Sequence, residues 1–177
     1  MTARASEIPA GAEGVSFLPY LSGERTPHAD PHARGAFIGL SLRHTRAHLI
    51  RAVMEGVGFG LRDSLEIMRD LGIPMEDIRL TGGGARSAVW RRILCDIFNA
   101  RVSAMTVTEG ASYGAALLAG VGGGVFPDVS AACAAVDAGE EEVPIAENAM
   151  RYENWYRHWR TLYPKFKGIF RSAARLS

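Results

Sequence analysis

The chain reads as an α/β domain, with parallel strands flanked by helices. Three observations predict this. The middle of the chain alternates between helical and strand-like hydrophobic spacing, in the order helix, strand, helix, strand, helix. Glycines punctuate those segments. The 177 residues, 47% hydrophobic and 22% charged, suffice for one substantial core. Strands that return parallel through a helix imply right-handed crossovers.

Residues 1–14 are small and polar and are expected to form a flexible lead-in to a domain spanning residues 15–177. Val15–Gly23 starts as a short apolar strand and meets Pro19. Glu24–Gly35 holds two prolines and several charges without periodicity, which predicts a long structured loop. Ala36–Leu42 fits a second short strand. From Thr45 the period changes: Leu49, Val53, Val57, Leu61, Leu65 and Met68 recur at helical spacing. Thr45 can cap the start, and Gly72 with Pro74 marks the stop, which predicts one helix from about Thr45 to Leu71. Gly56, Gly58 and Gly60 lie inside it against propensity, so close packing against another backbone is expected there.

Ile78–Thr81 predicts a strand, and Gly82-Gly83-Gly84 a sharp exit from it. Val89, Trp90, Ile93, Leu94, Ile97 and Phe98 then share one face of a second helix. Ala100–Val107 reads as a strand and Glu109–Gly120 as a small-residue helix. The segment after it mixes turns, a short Ala-rich helix and the run Glu140-Glu141-Glu142, read as a solvated charge run. Tyr152, Trp155, Tyr156, Trp159, Tyr163 and Phe166 form an aromatic stripe at helical spacing. It predicts a helix docked by that face, kinked or ended by Pro164.

The net charge is +1, with Lys and Arg dispersed, so nucleic acid and acidic membranes are not favoured as partners. No window has the unbroken apolar length of a membrane span, and the opening residues lack the apolar core of a signal peptide. A cytoplasmic setting is expected. Cys95 and Cys133 make neither a disulfide framework nor a zinc cluster and read as two small core residues. The pairs His28/His32 and His44/His48 have i,i+4 spacing but neither a third ligand nor the Glu of H-E-x-x-H, so no metal site is expected.

The triple glycine has a chemistry available. Glycines let a ligand approach the main chain, and N–H groups at a helix start face an anion with the helix dipole behind them. A phosphate or nucleotide contact is one reading; a tight strand-to-helix turn without a ligand is the other. The segment is neither a P-loop nor G-x-G-x-x-G.

One further reading rests on resemblance. Gly35–Glu55, with Gly35, Phe37, Gly39, Leu40, His48, Leu49, Ala52, Val53, Met54 and Glu55 at the pattern positions, resembles the second signature of the FGGY carbohydrate kinases. Thr81–Ser87 with Trp90 and Asp96 resembles that family's adenosine and phosphate segment, and Phe17–His28 is most similar to members acting on D-xylulose. The resemblance implies an actin-like, ribonuclease-H-like ATPase domain, in a protein of two such domains around a cleft. ATP with Mg2+ binds mainly on the C-terminal domain, the sugar mainly on the N-terminal one, and the catalytic base is an upstream Asp. The chain is therefore expected to be the C-terminal part of such a kinase. The first domain and the opening strands of the second are missing, no catalytic residue is carried over, and the chain alone is expected to be inactive. Gly82, Gly83, Gly84, Ala85, Ser87 and Ala88 match the nucleotide-binding segment. Arg25, Thr26 and His28 sit in a loop that either faces the cleft or braces the domain. Glu55 and Asp96 either carry a role in the site or only cap and orient loops. An exposed edge on the Ile78–Thr81 strand implies self-association. Two alternatives stay open: a stand-alone actin-like module binding nucleotide or protein, and a kinase for another sugar or polyol.

Overall fold

The computed structural model describes residues 2–107 and 110–176. Strands β1 (Ser16–Leu18) and β2 (Ala36–Ile38) pair antiparallel, with Phe17 opposite Phe37. Helix α1 runs Arg46–Asp70. Then follow β3 (Asp77–Leu80), a 3-10 turn at Gly83–Arg86, α2 (Ala88–Phe98), β4 (Arg101–Met105) and α3 (Gly110–Gly122). Helix α4 (Val129–Ala134), β5 (Ala138–Glu142), α5 (Ala146–Arg160) and α6 (Leu162–Ala174) complete the order. Glu109, the expected first residue of the third helix, lies outside the described residues.

The sheet order is β3-β4-β5. β3 and β4 are parallel, as the helical crossover through α2 requires, but β5 runs antiparallel to β4, so the sheet is mixed. The run expected to be solvated is that third strand. Strand alternation explains how three glutamates are accommodated. Glu140 and Glu142 turn to Arg91 and Arg92 of α2, while Glu141 pairs with Arg101 at 3.2 Å. Arg101 in turn meets Asp77 at 3.1 Å, so one face carries a charge ladder across all three strands.

Helix α1 starts from a capping box. Thr45 N–H donates to His48 Nδ1 at 3.1 Å, in the place a Glu or Gln usually fills. The expected close approach holds at Gly56, where an added Cβ would lie 2.3 Å from the Phe17 carbonyl oxygen. At Gly58 the neighbour is a side chain, with Ile97 Cδ1 2.7 Å away. Thr2–Glu7 and Ala12–Gly14 form 3-10 turns. The segment read as a flexible lead-in packs on α1, with Ala5, Ala10 and Ala12 buried.

The aromatic stripe docks as expected, but it spans two helices. The chain breaks at Thr161, and Pro164 sits in the first turn of α6, where its missing N–H costs nothing. Each buried tyrosine of the stripe donates to a buried carboxylate: Tyr152 to Glu55 at 2.8 Å, Tyr156 to Asp63 at 2.6 Å and Tyr163 to Asp30 at 2.7 Å. Trp159 Nε1–H donates to the Phe17 carbonyl at 2.8 Å. Of the two cysteines only Cys95 is a core residue; Cys133, on the outer side of the short α4, is exposed.

Candidate functional site

The glycine turn begins where β3 ends. Gly82 has φ 82° and ψ −174°, a region essentially closed to residues with a Cβ. A Cβ built on Gly82 or Gly83 would meet nothing within 4 Å, so the main chain there fronts open space. Gly84 lies closer in, with Trp90 Nε1 3.2 Å from such a Cβ. The three glycines do not open the helix directly. Ala85 N–H donates to the Gly82 carbonyl at 3.2 Å and Ser87 N–H to that of Gly84 at 3.1 Å, which closes a 3-10 turn first. Helix α2 then starts at Ala88, with the Ser87 side chain accepting from Trp90 N–H at 3.4 Å. The structure thus places Gly82, Gly83, Gly84, Ala85, Ser87 and Ala88 along one continuous turn. Ala85 is buried, and Gly83, Gly84 and Ala88 are exposed.

The turn is braced from β5 through Arg91, while its neighbour Arg92 ties the same strand to α2; sequence reading gave neither a site role. Arg91 is buried, and its Nη1 donates to the Ala85 carbonyl at 2.9 Å. Its Nη2 pairs with Glu140, and its Nε lies 4.0 Å from Glu142 Oε1. Arg92 joins Asp96 at 3.0 Å and also meets Glu142. Cys95 tucks beneath the same strand and donates to the Glu142 carbonyl at 3.2 Å; burial pushes its thiol up to about 11. The signal that could have found this brace is the spacing of Glu140 and Glu142, two apart, opposite adjacent arginines.

Asp96 orients a loop. It accepts from Ile145 N–H at 2.8 Å and from Asn148 Nδ2 at 2.9 Å, which fixes the start of α5. Glu55 does the same for the opening segment, accepting from Gly11 N–H at 3.0 Å, Arg51 Nε at 2.7 Å and the Tyr152 hydroxyl. Every one of these contacts is a structural tie. Beside the first turn of α2 lies a cleft of about 520 Å³, lined by Ala88, Val89, Arg92, Asp96 and Asn148 among others.

The second candidate region is held elsewhere. Glu24 and Asp30 bridge the loop by paired backbone hydrogen bonds at 2.9 and 2.8 Å. His28 stacks on Tyr163 at 3.7 Å and meets Tyr20 edge-on at 5.7 Å; burial lowers its pKa. Arg25 and Thr26 are exposed, and Arg25 lines a groove of about 710 Å³ with Ser22, Gly23 and Glu24. His28 therefore braces the loop on α6, while Arg25 and Thr26 face outward. The loop leans on α6 and the glycine turn on α2 and β5. Among the described residues no group of three or more His, Cys, Asp or Glu is placed to hold a metal ion, and no helix is long and apolar enough to cross a membrane.

Comparison with known proteins adds a family. The profile of the FGGY family of carbohydrate kinases, C-terminal domain, matches residues 1–123. A xylulose kinase of Staphylococcus epidermidis is 42% identical over 160 residues, covering 90% of this chain and 32% of that protein. The crystal structure of a ligand-bound xylulose kinase from Lactobacillus acidophilus superposes with a TM-score of 0.88 at 29% identity, over 99% of this chain and 35% of that one. A xylulose kinase from Rhodospirillum rubrum gives a TM-score of 0.84 at 36% identity, over 96% and 34%. The chain spans about a third of the length of the relatives it matches.

Proposed function

Since the chain belongs to the FGGY family of carbohydrate kinases, we propose that it forms the nucleotide-side portion of an ATP-dependent kinase acting on D-xylulose. The observation that carries this reading is the open face of Gly82 and Gly83 between β3 and α2. Main chain without side chains, followed within one turn by a helix start, suits the phosphates of ATP and ADP. Residues 15–177 act as one domain onto which the opening segment packs through Ala5, Ala10 and Ala12, and Gly82, Gly83, Gly84, Ala85, Ser87 and Ala88 line the nucleotide. Ser87 and Ala88 sit where the ribose would approach.

In the reaction a sugar hydroxyl attacks the γ-phosphorus, the bond to the ADP oxygen breaks, and the hydroxyl proton passes to a base outside these residues. D-xylulose 5-phosphate and ADP result. The part of this chain is to bind and orient the nucleotide, since positioning and charge neutralisation supply most of the rate in phosphoryl transfer. The residues around the turn offer main chain and small side chains rather than a carboxylate cluster, so Mg2+ comes with the nucleotide phosphates. The sugar choice rests on the xylulose kinase relatives. Arg25 and Thr26 line the approach to the sugar side. The setting is cytoplasmic.

Two measurements test this. Millimolar Mg·ADP titrated into the labelled chain is expected to shift the amide resonances of residues 82–88; unmoved resonances would falsify the nucleotide reading. In a coupled ADP-release assay the chain alone is expected to be inactive. Joined to the N-terminal two thirds of a xylulose kinase, it is expected to turn over D-xylulose in preference to gluconate and glycerol. Preference for another substrate overturns the sugar assignment alone.

The outer edge of β3 pairs with nothing among the described residues, since β4 lies on its other side. Self-association through that edge is part of the proposal. Light scattering showing a clean monomer at high concentration counts against it.

A further inference from the structure

We propose that Arg91 of α2 is a positioning residue for the glycine turn, holding the Ala85 carbonyl with one arm while Glu140 of β5 holds the other; this rests on the nucleotide reading above. The turn has few ties to the body of the protein. The bonds from Ala85 to Gly82 and from Ser87 to Gly84 close the turn on itself and do not fix its direction. Gly82 and Gly83 have open space where side chains would be. The entrance is set by β3 and by the start of α3, where a Cβ on Gly110 would lie 2.9 Å from Thr81 Oγ1. The exit is set by the buried Ala85 methyl and by Arg91 Nη1 on the Ala85 carbonyl at 2.9 Å.

A guanidinium that is 4% exposed needs a compensating charge. Glu140 supplies it at Nη2, and Glu142 stands 4.0 Å from Nε. The planar fork can hold a carbonyl with one arm and a carboxylate with the other, which a lysine ammonium cannot reproduce in that fixed geometry. The direction of the glycine main chain is thereby tied to a strand about fifty residues further along the sequence. A nucleotide contact made by main-chain atoms has no side-chain rotamer to correct a misplaced turn, so its fit depends on this brace.

Amide hydrogen exchange of residues 83–87 tests the brace, and the Mg·ADP titration tests its purpose. Arg91→Met removes the fork at a buried position. Glu140→Ala removes only its carboxylate partner, whose side chain is 78% exposed, and is therefore a variant that keeps the core. Both are expected to raise exchange at 83–87 about tenfold, with β4 and α1 unchanged, and to weaken Mg·ADP about tenfold. Glu140→Gln, which keeps a hydrogen-bond acceptor, recovers part of both effects. Unchanged exchange in Glu140→Ala overturns the brace. Faster exchange with unchanged affinity overturns the positioning role. A wild-type turn that does not respond to Mg·ADP removes the nucleotide reading and the positioning role with it, whereas the exchange result still reports on the brace.

Discussion

The Tyr163 hydroxyl donates to Asp30 at 2.7 Å, across 133 residues of chain. His32 N–H donates to the other oxygen of that carboxylate at 2.9 Å, and Arg171 approaches to 4.0 Å. The hydrogen bond from Tyr163 is the main reason the Asp30 carboxyl lies below its ordinary value of 3.8. A loop that sequence alone leaves between two roles is therefore fastened by its last acidic residue to α6.

Asp30 titrates lower in the folded state than in the unfolded chain, so its contribution to stability is full above the ordinary value. It is lost as pH falls through the lowered one. Tyr163→Phe removes the principal cause. The gap in urea midpoint between wild type and Tyr163→Phe is expected to be largest near neutral pH and to close below 3.8. A gap that is constant with pH refutes the assignment.

Four of the five tyrosines face the opposite limb. Burial raises Tyr20, Tyr152, Tyr156 and Tyr163, the last to about 12. Raised phenols support the fold fully below 10 and lose that support as pH climbs towards the folded-state values. Phenolate absorbance in an alkaline titration is expected to rise together with loss of helical circular dichroism. Four phenols titrating at ordinary pH with the helices intact contradict this.

Gly56→Ala places a methyl where the Phe17 carbonyl oxygen would be 2.3 Å away. A backbone atom cannot step aside as a side chain can. Thermal and urea denaturation are expected to show a loss of about 1–3 kcal/mol. Gly114→Ala, in α3 with nothing within 4 Å, is the control and is expected to be neutral or slightly stabilising.

Glu55→Ala strands Arg51, whose Nε donates to Glu55 at 2.7 Å within the core. Removing one partner of a buried pair costs about 3–5 kcal/mol. Glu55→Gln keeps an acceptor for Gly11 N–H and for the Tyr152 hydroxyl and is expected to cost less. Equal losses in the two variants mean that the charge opposite Arg51, rather than shape or the retained acceptor, holds the site.

Local periodicity made much of this fold legible. Thr45, the apolar spacing to Met68 and Gly72 bracket α1 to within a residue, because cap and period are written in neighbouring positions. The need for glycine at 56 was readable as close packing, though Phe17 as its neighbour was not. What failed to show depends on partners far along the chain. Glu140 and Glu141 stay solvated as read, but Glu142 is largely covered, and the pairing of the run with Arg91 and Arg92 as strand β5 could not be read from its charge alone. The break at Thr161 was displaced to Pro164, since proline signals a boundary but is tolerated just inside a helix start. In the candidate site, the turn at Gly82 was readable from glycine alone. Of its brace only the charge half, Glu140 and Glu142 against adjacent arginines, left a signal; the Ala85 carbonyl that Arg91 holds is main chain, which no side-chain pattern reveals.

The ties between α5–α6 and the early segments also fix an order of events during synthesis. Trp159 reaches Phe17 across 142 residues, Tyr163 reaches Asp30 across 133, and Tyr152 reaches Glu55 across 97. None of those early groups gains its final partner until the ribosome has made residues 152–163. The chain entropy of closing such long loops is lost before their contacts reward it, so this fold cannot be completed stepwise from its first residues. Glu55 and Asp30 emerge with local donors already at hand, Gly11, Arg51 and His32, but the Phe17 carbonyl and both carboxylates lack these later donors until α5 and α6 arrive.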